Sequence, residues 1–98
     1  MKILAIERSG ASTDDGTALP AVLLRDEARR LWTLHRQGAV REMYFDESRH
    51  AAVLVLECGD GAEAEYLLAS LPLVAAGAIR FEVIPLVPYD GFERLFAD

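Results

Sequence analysis

Apolar side chains recur along the chain with two different periods, and these mark out six elements. Lys2 to Arg8 is a short apolar run that predicts a first strand. From Pro20 to Gln37 the spacing becomes helical, with Leu24, Leu31 and Leu34 on one stripe flanked by Leu23, Ala28 and His35. Arg25, Asp26, Arg29, Arg30 and Arg36 fall mainly outside that stripe. Pro20 suits a first helical turn, where a missing N–H is not needed, and Gly38 suits the left-handed residue that ends a helix. Ala39 to Phe45 and Ala51 to Cys58 read as two strands joined by the polar turn Asp46-Glu47-Ser48-Arg49, an antiparallel hairpin. Asp60 followed by Glu63 is a capping-box variant that opens a second helix to about Ser70, and Leu71-Pro72-Leu73 closes it or leads out of it. Ile79 to Leu86 alternates Ile79, Phe81 and Val83 with Arg80 and Glu82, a fourth strand that Pro85 and Pro88 confine to a sheet edge. Ser9 to Ala18 carries no large apolar side chain and reads as a loop of a length sometimes used as a lid.

The order βαββαβ is the ferredoxin-like α+β pattern. Right-handed crossovers place both helices on one face of a four-stranded antiparallel sheet and leave the other face bare. Strands one and three are central in this topology and put Ile, Leu, Val and Ala on both sides. An apolar face of that size is too large for a soluble monomer, and its simplest cover is the same face of a second copy. The expectation is therefore a homodimeric α+β barrel. In the tail, Phe92, Leu95 and Phe96 share one side of a short helix, which nine residues cannot sustain alone in water. Residues 89–98 are expected to dock on a partner subunit or at a pocket, with docking on their own subunit as the alternative.

Composition narrows the function without naming it. A chain of 98 residues, 52% apolar and 27% charged, fits one globular domain over residues 1–98. A net charge of -6 argues against nucleic acid, since phosphate contacts need clustered cations. No apolar run approaches a membrane span, and Met1 to Glu7 is too short and too soon interrupted by charge for a signal peptide. One cysteine, Cys58, forms no internal disulfide, so the cytoplasm is the expected compartment.

Few residues invite chemistry. His35 and His50 stand on different elements without metal spacing, Asp14-Asp15-Gly16 is a fragment of a calcium loop that reads as a solvated turn, and Cys58 reads as an inert strand thiol. Glu27 is more informative, because the seam Leu24, Glu27, Leu31, Leu34 holds one carboxylate among leucines. Burial raises the pKa of such a group and suits it to proton transfer; pairing with Arg30 or a strand arginine is the structural alternative. Arg41 and Glu42 break an apolar strand beside Tyr44, either as a pocket clamp for an anion or as charges protecting an edge. Glu57, Arg80 and Glu82 suit interface ion pairs, and Trp32 and His35 suit a core or an interface.

Asp26-Glu27, Arg36-Gln37-Gly38, Arg41, Leu71-Pro72-Leu73, Glu82-Val83 and the Leu19-Pro20 entry to the helix together resemble muconolactone delta-isomerase, in order and approximate spacing from about Leu19 to Pro88. The resemblance implies a ferredoxin-like subunit in barrel dimers that assemble further, and a cofactor-free shift of a double bond in a small carboxylated lactone. On it, Glu27 would carry the proton, Arg41 would hold the substrate carboxylate and Tyr44 would shape the pocket. The chain departs from the family where Ala39-Val40-Arg41-Glu42-Met43-Tyr44 replaces a strand rich in tryptophan and histidine, in the Ser9 to Ala18 loop, in a longer segment after Leu73, and at Pro88-Tyr89-Asp90-Gly91-Phe92. A non-catalytic dimeric barrel binding a small hydrophobic ligand or partner is the alternative. A cofactor-free oxygenase is a third, by analogy of fold alone.

Overall fold

A computed structural model describes residues 1–11 and 18–97. The lid reading of the Ser9 to Ala18 loop falls mostly outside the described residues. The elements are β1 (Lys2–Ser9), α1 (Ala21–Arg36), β2 (Val40–Phe45), β3 (Ala52–Glu57), α2 (Gly61–Ala69), α3 (Pro72–Ala75) and β4 (Ile79–Pro85), followed by a 3-10 helix over Gly91–Leu95. The four strands form one antiparallel sheet in the order β2-β3-β1-β4. This is the ferredoxin-like α+β fold that the periodicity predicts, with β1 and β3 in the centre.

Alternation along β1 sets the two faces. Ile3 and Ala5 are buried beneath the helices, opposite Leu56 and Leu54 of β3, and join Leu34, Val40, Ala64, Leu68 and Leu71 in the core. Leu4 and Ile6 point the other way, opposite Val55 and Val53, and are only partly covered. Ile84 extends this second apolar face on β4, while an Arg8–Glu82 ion pair (2.7 Å) lies toward its end. Edge strand β2 carries a bulge between Val40 and Glu42.

Local chemistry explains where the helices stop. Gly38, at φ 83°, closes α1: its N–H donates to the His35 carbonyl and that of Ala39 donates to the Leu34 carbonyl, a glycine-closed C-terminus that satisfies two orphan acceptors. Asp60 accepts from the Glu63 N–H (2.8 Å) while Glu63 Oε2 reaches back to the Gly59 N–H (2.8 Å), so the capping box forms as the spacing predicts. The Leu71-Pro72-Leu73 segment does more than end α2. Leu71 is extended, as a residue before proline prefers, and Pro72 opens a new helical turn, α3. Gly77, at φ 76°, then closes α3 in the manner of Gly38.

The tail leaves this body. The radius of gyration is 16.0 Å, against about 13 Å for a compact chain of this length. Phe92, Leu95 and Phe96 are 66%, 74% and 84% exposed, so docking on their own subunit is not what the structure shows.

Leu56 has no exposed surface and touches both helix and sheet neighbours of the core. Leu56→Ala is expected to lower unfolding stability by about 2–5 kcal/mol, read by urea denaturation, because the closed core can collapse only partly around the cavity.

Candidate functional site

A cleft of about 760 Å³ opens between α1 and the helix-covered face of the sheet, beside the core. Its roof is Leu24, Glu27, Ala28, Leu31 and Trp32 from α1, one face of that helix read at intervals of three and four. Its floor is Glu7, Met43, Phe45, Ala52, Leu54, Ile79 and Phe81 from the four strands, and Leu73 of α3 closes one side. Nearly all of this lining is apolar or aromatic, as expected of a site for a small organic ligand.

Glu27 is the buried charge of the cleft, with 8% of its surface exposed. Among the described residues no arginine pairs with it; Arg30 instead donates to Ser70 Oγ (3.0 Å). Glu27 Oε1 accepts the backbone N–H of Leu73 (2.9 Å), at the start of α3, where an orphan helical donor is available. Burial pushes the Glu27 pKa up, the Leu73 hydrogen bond pulls it partly back, and the charge of Glu7 adds to the rise. The result is a carboxyl group that holds its proton more tightly than an exposed glutamate does, the property a proton-transfer group needs near neutral pH.

Tyr44 borders the same cleft. Alternation along β2 nevertheless sends its ring to the uncovered face with Glu42, and its hydroxyl donates to Glu42 Oε1 (2.7 Å). That bond and the Glu42 charge raise the Tyr44 pKa and hold the phenol in its neutral form. Arg41 is not brought to the cleft. It sits in the β2 bulge, and its Nε donates to the Gly38 carbonyl (2.6 Å), so its guanidinium covers the end of α1. The structure thus places Glu27 in the cleft, leaves Tyr44 at its border with the ring turned to the uncovered face, and keeps Arg41 outside it.

Two titratable lining residues, Glu7 and His50, were not among the site residues expected from the sequence. Glu7 falls in the row Ile3, Ala5, Glu7 on the helix-facing side of β1, a signal that alternation carries, and its Oε1 accepts the Ala52 N–H (2.9 Å). His50 adopts φ 55° after a turn in which Asp46 accepts from Ser48 Oγ and the Arg49 N–H. Its ring stacks on Phe45 with centroids 3.9 Å apart, and no spacing along the chain announces that contact. Cys58 lies away from the cleft, where burial pushes its thiol pKa up and favours the unreactive form. Among the described residues no three His, Cys, Asp or Glu side chains are grouped to hold a metal ion, and no helix is long and apolar enough to cross a membrane.

No protein-family model matches the chain, and no curated protein matches it. Among solved structures it is similar to muconolactone isomerase, known from a crystal structure at 3.3 Å resolution. The TM-score is 0.72 at 22% identity, over 92% of each chain. At that identity the likeness establishes the fold: the subunit has the ferredoxin-like architecture of muconolactone isomerase.

The raised Glu27 pKa fixes the sign of a pH effect. Between 4.5, its ordinary value, and the raised folded value, the folded chain binds more protons at this site than the unfolded chain. Stability contributed by Glu27 therefore falls as pH rises through that window. Glu27→Gln keeps an oxygen for the Leu73 N–H and removes the ionisation, so urea midpoints measured across this range should decline with pH less in the variant than in the wild type.

Proposed function

We propose that the protein is a cofactor-independent isomerase that shifts a carbon–carbon double bond by proton transfer in a small unsaturated lactone. The observation that carries this reading is Glu27, a buried carboxylate with one oxygen fixed by Leu73 and the group as a whole bordering an apolar cleft. As a carboxylate it would take a proton from the carbon next to the double bond, and the electron pair of that C–H bond would pass into the lactone carbonyl as a dienolate. Return of the same proton to the far carbon of the dienolate completes the shift and restores the carboxylate. No oxidant or reductant enters this balance. The fold shared with muconolactone isomerase supports the reading, and the lining supports an uncharged lactone more than a carboxylated one, because among the described residues no lysine or arginine lines the cleft.

A non-catalytic barrel that binds a small hydrophobic ligand is the second reading. It is favoured by Arg41, whose bond to Gly38 removes the expected anion clamp from the cleft. Incubation with muconolactone, its methyl ester and other small unsaturated lactones, followed by NMR, separates the two. Double-bond migration with any of them supports the isomerase, and Glu27→Gln should then reduce the rate by about 10²–10⁴-fold. Binding without conversion throughout the series supports the second reading.

We also propose that two copies pair through the uncovered face. Leu4, Ile6, Val53, Val55 and Ile84 form its apolar centre, and the Arg8–Glu82 pair lies at its margin. The exposed Phe92 and Phe96 would then dock on the neighbouring copy. Light scattering should report a dimer or a multiple of it. Val55→Asp should dissociate or unfold it, at a cost on the order of several kcal/mol for an unpaired buried ion, and removal of residues 91–98 should weaken it. A stable wild-type monomer at micromolar concentration would contradict this assembly.

A further inference from the structure

The proposed chemistry uses one carboxylate of the cleft and leaves the other without a task. Glu7 stands in the inward row of β1 after Ile3 and Ala5, with Phe81 of β4 as its partner across the ladder. A glutamate in such a row would ordinarily disturb a core. Here the last described β1–β3 pair is Ile6 with Val53, and Glu7 Oε1 takes the next N–H, that of Ala52. The carboxylate is thereby fixed on the sheet side of the cleft. Glu27 is fixed from the helix side by the N–H of Leu73. A flat ligand lying between helix and sheet would meet one carboxyl group from each side.

The other groups facing this space are mostly uncharged side chains. His50 enters from the turn before β3, and Tyr44 borders from β2 with its hydroxyl committed to Glu42. The remaining contributions of α1, α3, β3 and β4 are uncharged, and no lysine or arginine lines the cleft among the described residues.

We infer that Glu7 is the second functional carboxylate of this cleft, a positioning residue held opposite Glu27 that keeps the transferred proton in the cleft and turns anionic ligand groups away. Two carboxylates facing one apolar space are costly to ionise together. The Glu7 charge therefore favours the neutral acid form of Glu27 at the moment Glu27 holds a proton, in the same direction as burial. A ligand carboxylate would add a third negative charge with no fixed cation to meet it. The ligand class is accordingly an uncharged unsaturated lactone or enone. The proton-keeping role rests on the isomerase reading, whereas the coupling between the two carboxylates and the selection against anions do not.

The test needs no turnover. The side-chain carboxyl carbon of Glu27 is titrated by 13C NMR in the wild type and in Glu7→Gln. The glutamine keeps an oxygen for the Ala52 N–H, and amide spectra confirm that the variant is folded. Loss of the Glu7 charge should shift the Glu27 midpoint down. If that variant does not fold, the wild-type ligand comparison below still tests the selection against anions. Thermal shift with muconolactone and its methyl ester forms the second arm: the ester should stabilise the wild type more, and Glu7→Gln should narrow the difference. A Glu27 midpoint that ignores the loss of Glu7, or a free acid that stabilises the wild type as well as its ester, overturns the inference. Either result leaves the isomerase reading to stand or fall on conversion alone.

Discussion

The structure depends on the double pairing of β1. This strand is hydrogen-bonded along both edges, to β3 and to β4, so its register is set twice. Because side chains alternate, that register also decides which residues the helices cover. Ile3 and Ala5 enter the core, Glu7 reaches the cleft, and Leu4 and Ile6 build the opposite face. A slip by one residue would place Lys2, Leu4, Ile6 and Arg8 under the helices and abolish core and site together. The cleft beneath α1 and the apolar outer face are thus two readings of one strand.

The second dependence is the hydrogen bond from Leu73 to Glu27, which links residues 46 positions apart. It occupies an orphan donor of α3 and one oxygen of a carboxylate that would otherwise be stranded in an apolar seam. Pro72 matters here although it never touches the cleft, since it is the break between α2 and α3 that presents a free N–H to the underside of α1. The fixed position of Glu27 in the cleft therefore depends on a helix of four residues.

Much of the fold was legible in the chain because each element carries its own local signal. The helical period of α1, Gly38 and the Asp60–Glu63 box work over a few residues and formed where the pattern placed them, although Leu24 of the α1 stripe stays 47% exposed. Glu27 was legible for the same reason, as one carboxylate within a leucine seam. What could not be read depends on contacts across the sequence. The Ala52 N–H that anchors Glu7 is 45 positions away, and the His50 ring finds Phe45 only because the hairpin turn forces a left-handed residue. Arg41 was misleading for a related reason: a strand position implies a face, but a bulge removes that rule, and the side chain fell back on the helix end. Leu71-Pro72-Leu73 showed its proline and hid the new helix that the proline begins.

The bulge in β2 and the prolines of β4 have a consequence for how copies can grow together. A regular edge strand is a template for the next strand, and addition at both edges gives an unending ribbon. In this sheet one edge is kinked between Val40 and Glu42, and the other runs out at Pro85, just before Pro88. Proline offers no N–H to an incoming chain, and the kink breaks the regular row of donors and acceptors. Face-to-face contact about a twofold axis uses its surface once and is then complete. The same few residues thus blunt both edges against the open-ended strand addition that builds fibres.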